Sequence, residues 1–252
     1  KGFESSAAAG AFTVLSIITN IYKENHIFYG VDVSYLNNPD DKAKALRTLD
    51  LSRVTQEGQK KNPDGRLLLT TSEDVVFLSK ISQSLQGIKS GDDGLSKRTF
   101  WEIYRNQGEW KFFRSTVEQT TPYGGMEYLI KWDNEGRNLA RLQGLAGWGK
   151  PGVTVSLMRK LRSSIYLGEQ FDSNIGVIIP RSSEMLPAIW GFCESDDFDA
   201  KVREIDPRVN AMTGSLVKVP FDLDHWTKVA EENYPNGLPK PYSDDPTQWI
   251  FH

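Results

Sequence analysis

Ile175-Gly176-Val177-Ile178-Ile179 is almost wholly apolar, and Pro180 closes it. A run this short, with no polar residue to turn outward, reads as a β-strand buried on both faces. Such a strand needs a layer on each side, and the flanking sequence supplies candidates. Downstream, Leu186, Ile189, Trp190 and Cys193 fall at i, i+3, i+4 and i+7, one apolar stripe of a helix. That stripe makes Cys193 a small core residue and not a nucleophile. A second helix begins with Ser195 as N-cap and Asp196 and Asp197 in its first turn. It buries Phe198, Val202 and Ile205 and stops at Pro207. A strand over 216–219 and a short helix capped by Asp222, carrying Trp226 and Val229, complete this half. Residues 234–252 hold four prolines and read as a surface-wrapping segment.

Upstream of the same strand, Val153-Thr154-Val155-Ser156-Leu157 alternates as a strand does. The pattern predicts a helix over 134–144 and strands over 110–117 and 126–132. Thr71 and Asp74 form a capping pair before a helix through Ser82. Residues 56–65 are polar and rich in turn formers, the best linker candidate. Asn37-Asn38-Pro39-Asp40 is a turn leading into a helix that ends near Asp50. Residues 27–33 and the β-branched run 11–19 read as strands, the latter buried. The class expected is α+β, with mixed sheets and flanking helices and without the regular alternation of a doubly wound sheet.

Composition narrows the chemistry. At 252 residues, 38% hydrophobic and 25% charged, the chain is long enough and apolar enough to fold. One cysteine excludes an internal disulfide, and three scattered histidines argue against a zinc enzyme. No apolar run reaches the roughly 18–20 residues of a membrane span and the first residues lack a signal core, so a cytoplasmic protein with no membrane contact is expected. The first Met is Met126, so the chain is expected to be processed or part of a longer one. Charge is uneven: residues 1–96 carry −1, 97–162 carry +6 and 163–252 carry −8. The basic block is also aromatic, with Phe100, Trp101, Tyr104, Trp110, Phe112, Phe113, Tyr123, Tyr128, Trp132 and Trp148. Cations with interleaved rings suit phosphates and bases; the same rings also suit a core.

Motifs for catalysis are missing. There is no Gly-x-Ser-x-Gly elbow and no phosphate-binding Gly-Lys-Ser/Thr loop. Pro63-Asp64 with Glu109-Trp110-Lys111 matches the letters of a metal-dependent nuclease across a long gap. A binding or scaffolding fragment is the reading that composition favours.

Several stretches, taken in order, resemble the C-terminal half of large bacterial adenine-specific DNA methyltransferases, the type IIG class and its BREX- and DISARM-like relatives. They are Gly87-Ile88-Lys89-Ser90-Gly91-Asp92, Thr121-Pro122-Tyr123-Gly124-Gly125-Met126-Glu127, Gly147-Trp148-Gly149-Lys150-Pro151-Gly152-Val153, Phe171-Asp172-Ser173-Asn174 and Thr213-Gly214-Ser215-Leu216-Val217-Lys218-Val219-Pro220. The resemblance implies a target recognition domain over 85–232, preceded by a connecting segment (36–84) and the last strands of a methyltransferase domain (1–35), and followed by an extended segment (233–252). Such enzymes bind S-adenosylmethionine at a Phe-x-Gly-x-Gly loop and hold the extruded adenine with Asn-Pro-Pro-Tyr. Neither motif occurs here, so the cofactor and the catalytic residues are expected in the parent enzyme, upstream, and none in this chain.

The implied partners are double-stranded DNA and that upstream domain. Extruding a base costs a few kcal/mol, which a recognition domain offsets by clamping the duplex. Phosphate contacts set register and base-edge contacts select sequence. The residues expected at DNA are Lys89, Ser90 and Asp92 in the glycine loop, Arg98 and Arg105, Tyr123 beside its two glycines, and Lys150, Arg159, Lys160 and Arg162 as a phosphate track. Plain alternatives stand beside them: a helix-to-strand turn for the loop, solvated charge for Arg98 and Arg105, core packing for Tyr123. A protein-interaction module of a defence complex and a metal-dependent nuclease fragment are the rival functions.

Overall fold

Residues 14–21, 23–36, 38–60, 62, 67–69, 76–104 and 108–240 are described by a computed structural model. The chain divides into two units, 1–75 and 76–252. In the first, β1 (Ile27–Gly30) pairs antiparallel with β2 (Ser52–Thr55). Between them runs α1 (Pro39–Thr48), and α2 (Gln56–Gln59) is a single turn. Local chemistry explains α1: the Asn38 side chain accepts the Asp40 N–H at 2.8 Å, Pro39 opens the helix, and Asp40 and Asp41 face its positive end. The unit has little core. Val54 is its one buried hydrophobic side chain among the described residues. The expected buried strand at 11–19 is not seen over its described part: residues 14–19 are exposed and outside any element. A strand exists only when its main-chain groups are paired, and no described residue pairs with these.

The second unit opens with β3 (Ser82–Gln86), the one-turn α3 (Asp93–Ser96), β4 (Lys97–Thr99), β5 (Trp110–Arg114) and β6 (Tyr128–Lys131). Then come β7 (Gly152–Ser156), β8 (Ser163–Tyr166), β9 (Gln170–Phe171) and β10 (Ile175–Pro180). The helices α4 (Leu186–Glu194), α5 (Asp196–Ile205) and α6 (Leu223–Asn233) close it. One sheet is antiparallel throughout, in the order β3-β10-β7-β8; the other runs β4-β6-β5-β9 with β5 and β9 parallel. The architecture is α+β, as expected.

The quoted strand is central, and it is covered on both faces. Ile178, with Val153, Val155 and Ile165, faces Trp190, Phe192, Phe198 and Trp226 of the helices. Ile175, Val177 and Ile179 face the other way, onto Tyr166 and Phe171. Trp148 packs against that cluster and also against Ile88, Phe113, Ile130 and Leu139, so it joins the two sheets. β7 is buried along its whole length, because its polar positions also lie between the sheets. There the Thr154 and Ser164 hydroxyls sit 2.9 Å apart. The fully buried Arg114 lies beside them, ion-paired to Glu169 at 2.9 Å.

Three further element expectations are corrected. Residues 134–144 are not a helix. Asn134, Glu135 and Gly136 have φ of 48°, 60° and 77°, incompatible with a right-handed helix. Beyond them Arg141 is drawn into a bridge to Lys89. Ser82 starts a strand where a helix end was expected, after one 3-10 turn at Leu78–Lys80; Thr71 and Asp74 lie outside the described residues. Residues 216–219 are not a strand but a buried irregular segment. Its carbonyls at Val217 and Val219 accept the N–H groups of Ser79 and Leu78 at 2.7 and 3.0 Å, which satisfies them without a ladder.

Candidate nucleic-acid interface

The glycine loop leaves β3 and crosses onto the second sheet. At Gly87 a Cβ would stand 2.2 Å from the Phe171 carbonyl oxygen and 2.4 Å from that of Asp172, so only glycine lets the two backbones approach. Ile88 donates its N–H to Phe171 at 2.7 Å and accepts from Ser173 at 2.8 Å, burying its side chain in the inter-sheet core. Lys89 and Arg141 then exchange two main-chain hydrogen bonds, both 3.0 Å, and Ala140 donates to the Ser90 carbonyl at 3.2 Å. Gly91 takes a left-handed φ of 89°, turning the chain so that Asp92 caps α3 by accepting the Leu95 N–H at 3.2 Å. The Ser90 hydroxyl donates to Asp93.

These segments enclose an open cleft of about 530 Å³ lined by Ser90, Asp92, Leu95, Lys131, Asn138 and Ala140 among others. Two exposed cations, Lys89 and Arg141, stand directly opposite each other on its bridged strands. Residues so paired project to the same side with Cβ atoms about 5 Å apart, and like charges there repel. Neither forms an ion pair with another described residue. Lys131 is held by Asp133 at 2.9 Å, and that hydrogen bond raises its pKa.

The remaining expected residues are distributed unevenly. The Arg98 guanidinium folds back onto the carbonyls of Gly94 and Lys97, fastening α3 to β4. Arg105 lies outside the described residues. Tyr123 packs against the helix-side core and donates its hydroxyl to the Pro239 carbonyl, so its ring serves the fold. Lys150 precedes β7, whereas Arg159, Lys160 and Arg162 follow it in the hairpin to β8. Five strand residues separate them by roughly 17 Å. The hairpin trio also sits on the acidic start of α5. Lys160 pairs with Asp196 at 3.2 Å, Leu161 donates its N–H to Asp199, and Arg203 holds the Arg159 carbonyl.

Lys89, Ser90 and Asp92 are thus brought together, and Arg141, Lys131 and Asn138 join them from a segment that the helix expectation concealed. The turn formers Asp133-Asn134-Glu135-Gly136 were the available signal against that helix. Among the described residues no three His, Cys, Asp or Glu side chains gather as a metal site, and Asp64 of the nuclease pattern lies outside them.

No protein-family profile and no curated protein matches the chain. Among solved structures it is similar to the HsdS subunit from Thermoanaerobacter tengcongensis. The identity is 9% and the TM-score 0.41, over 71% of this chain. The chain spans 41% of that protein's length. No helix among the described residues is long and apolar enough to cross a membrane.

Proposed function

We propose that the second unit binds double-stranded DNA as the target-reading part of an adenine-specific DNA methyltransferase of a restriction–modification or phage-defence system. S-adenosylmethionine and the transfer chemistry belong, in this reading, to a methyltransferase segment that works with it. The observation that carries the DNA reading is the exposed Lys89–Arg141 pair, on the two bridged segments whose neighbouring residues Ser90 and Ala140 line the cleft. A fold that places two uncompensated cations face to face gives up stability, and a phosphate between them turns that repulsion into attraction. The resemblance quoted above supports the methyltransferase assignment.

Binding of the chain to a labelled duplex, followed by anisotropy between 50 and 200 mM salt, tests this. Affinity should fall steeply with salt, and Lys89→Ala with Arg141→Ala should lower the log–log slope by about 2 in total. No binding at 50 mM salt, or an unchanged slope in the double variant, removes the proposal. A second reading, a protein-interaction module without DNA contact, draws on the exposed apolar side chains of residues 14–21 and is the one left standing by that outcome.

A further inference from the structure

Most polar side chains lining the cleft are already engaged. The Ser90 hydroxyl donates to Asp93, the Asp92 carboxylate caps α3, and Lys131 pairs with Asp133. Asn138 differs: it lines the cleft, is exposed, and its carboxamide bonds to no other described residue. Its backbone is fixed on both sides. Before it stands the left-handed turn Asn134-Glu135-Gly136, a conformation that persists only where its surroundings impose it. After it, Leu139 is buried in the inter-sheet core, and Ala140 and Arg141 bond to Ser90 and Lys89. A fixed backbone therefore presents one uncommitted amide to solvent, three residues before the Arg141 that bridges to Lys89.

A carboxamide offers a donor and an acceptor side by side. In the major groove, adenine presents the matching pair, the N7 acceptor next to the N6 donor. The cleft adds exposed apolar groups next to that amide, Leu95 and Ala140, of the kind that meets a thymine methyl. We propose that Asn138 reads the major-groove edge of an adenine in one A·T pair of the target, with Leu95 and Ala140 against the methyl of its partner base and Lys89 and Arg141 on the flanking phosphates. This deepens the DNA reading above and rests on it.

The test is selection from a randomised duplex pool by the whole chain and by Asn138→Ala and Asn138→Asp. The unaltered chain should enrich A·T at one position. Asn138→Ala should lose that preference alone, keep the others, and bind the best site roughly 5- to 100-fold more weakly, the range for one bidentate base contact. Asn138→Asp, an acceptor only, should shift the same position toward cytosine, whose N4 donates. Thermal melting of both variants should match the parent, because the side chain is exposed. If Asn138→Ala enriches the same sequences as the parent, or loses every preference together, the assignment of Asn138 is overturned while DNA reading stands. If the unaltered chain selects no sequence, both fall.

Discussion

Asp206 shows how much one buried carboxylate can do. It ends α5, is almost wholly buried, and accepts from the Arg208 guanidinium at 2.6 and 2.8 Å and from the Met212 N–H at 2.8 Å. Burial alone would raise its pKa; the hydrogen bonds from Arg208, Met212 and Ser215 outweigh that and hold it at about 2, below the ordinary 3.8. A group with a depressed folded-state pKa stabilises the fold above its unfolded pKa, and the contribution fades as pH falls from about 4 through about 2. The linkage is on the order of 2 kcal/mol. Urea unfolding at pH 7 should show Asp206→Asn less stable by about that amount, with a gap that closes toward pH 2; parallel curves at all pH values would refute the role. Glu194 acts in the opposite sense. Burial raises its pKa, partly offset by a hydrogen bond from Tyr234, so its protonated form favours the fold and that contribution is lost as pH rises. Arg114 supplies a second residue-scale prediction. Its removal leaves the nearly buried Glu169 carboxylate without its ion-pair partner, so Arg114→Ala should cost about 3–5 kcal/mol. Adding Glu169→Gln should recover part of that loss in the same urea measurement.

At the scale of elements, the sequence was legible wherever the deciding information is local. The caps of α1 and α6, the acidic first turn of α5 and the stripe of α4 lie within one helix, and β10 carries an apolar run and β7 an alternation that suit a strand. It was illegible where a distant partner decides. β3 reads Ser82-Gln83-Ser84-Leu85-Gln86, too polar to stand out as a strand. Its polarity is explained only by its edge position and by the Ser84 hydroxyl on the Thr213 carbonyl at 2.8 Å, 129 residues away. The site divides along the same line. Lys89, Ser90 and Asp92 are contiguous and were found from the glycine loop. Arg141 and Asn138 meet that loop across some fifty residues, by a bridge that no periodicity encodes. Gly87 tests whether the loop is held as described. Gly87→Ala forces a methyl against two carbonyl oxygens of the neighbouring backbone, so it should lose about 1–3 kcal/mol of stability and weaken duplex binding as Lys89 shifts. Unchanged melting with unchanged binding would contradict the close approach.

At the scale of the molecule, the two units differ in kind. The second has several fused cores and two four-stranded sheets. Among its described residues the first has a two-stranded ribbon, a helix with no buried residue and one buried hydrophobic side chain, while Val14, Leu15, Ile17 and Ile18 stand at 85–98% exposure. Ordering a residue costs about 1–2 kcal/mol of conformational entropy, which burial must offset, and two strands alone are marginal in water. An energetic asymmetry follows. Amide hydrogen exchange of the chain should find β10 and α4 protected to near the global unfolding free energy, whereas β1, α1 and β2 exchange through local opening at far lower cost. The apolar run should also bind a hydrophobic dye, and Ile17→Lys with Ile18→Lys should abolish most of that signal without moving the main melting transition. Protection of β1 and β2 equal to that of β10 would mean that the first unit has a source of stability beyond the burial described here.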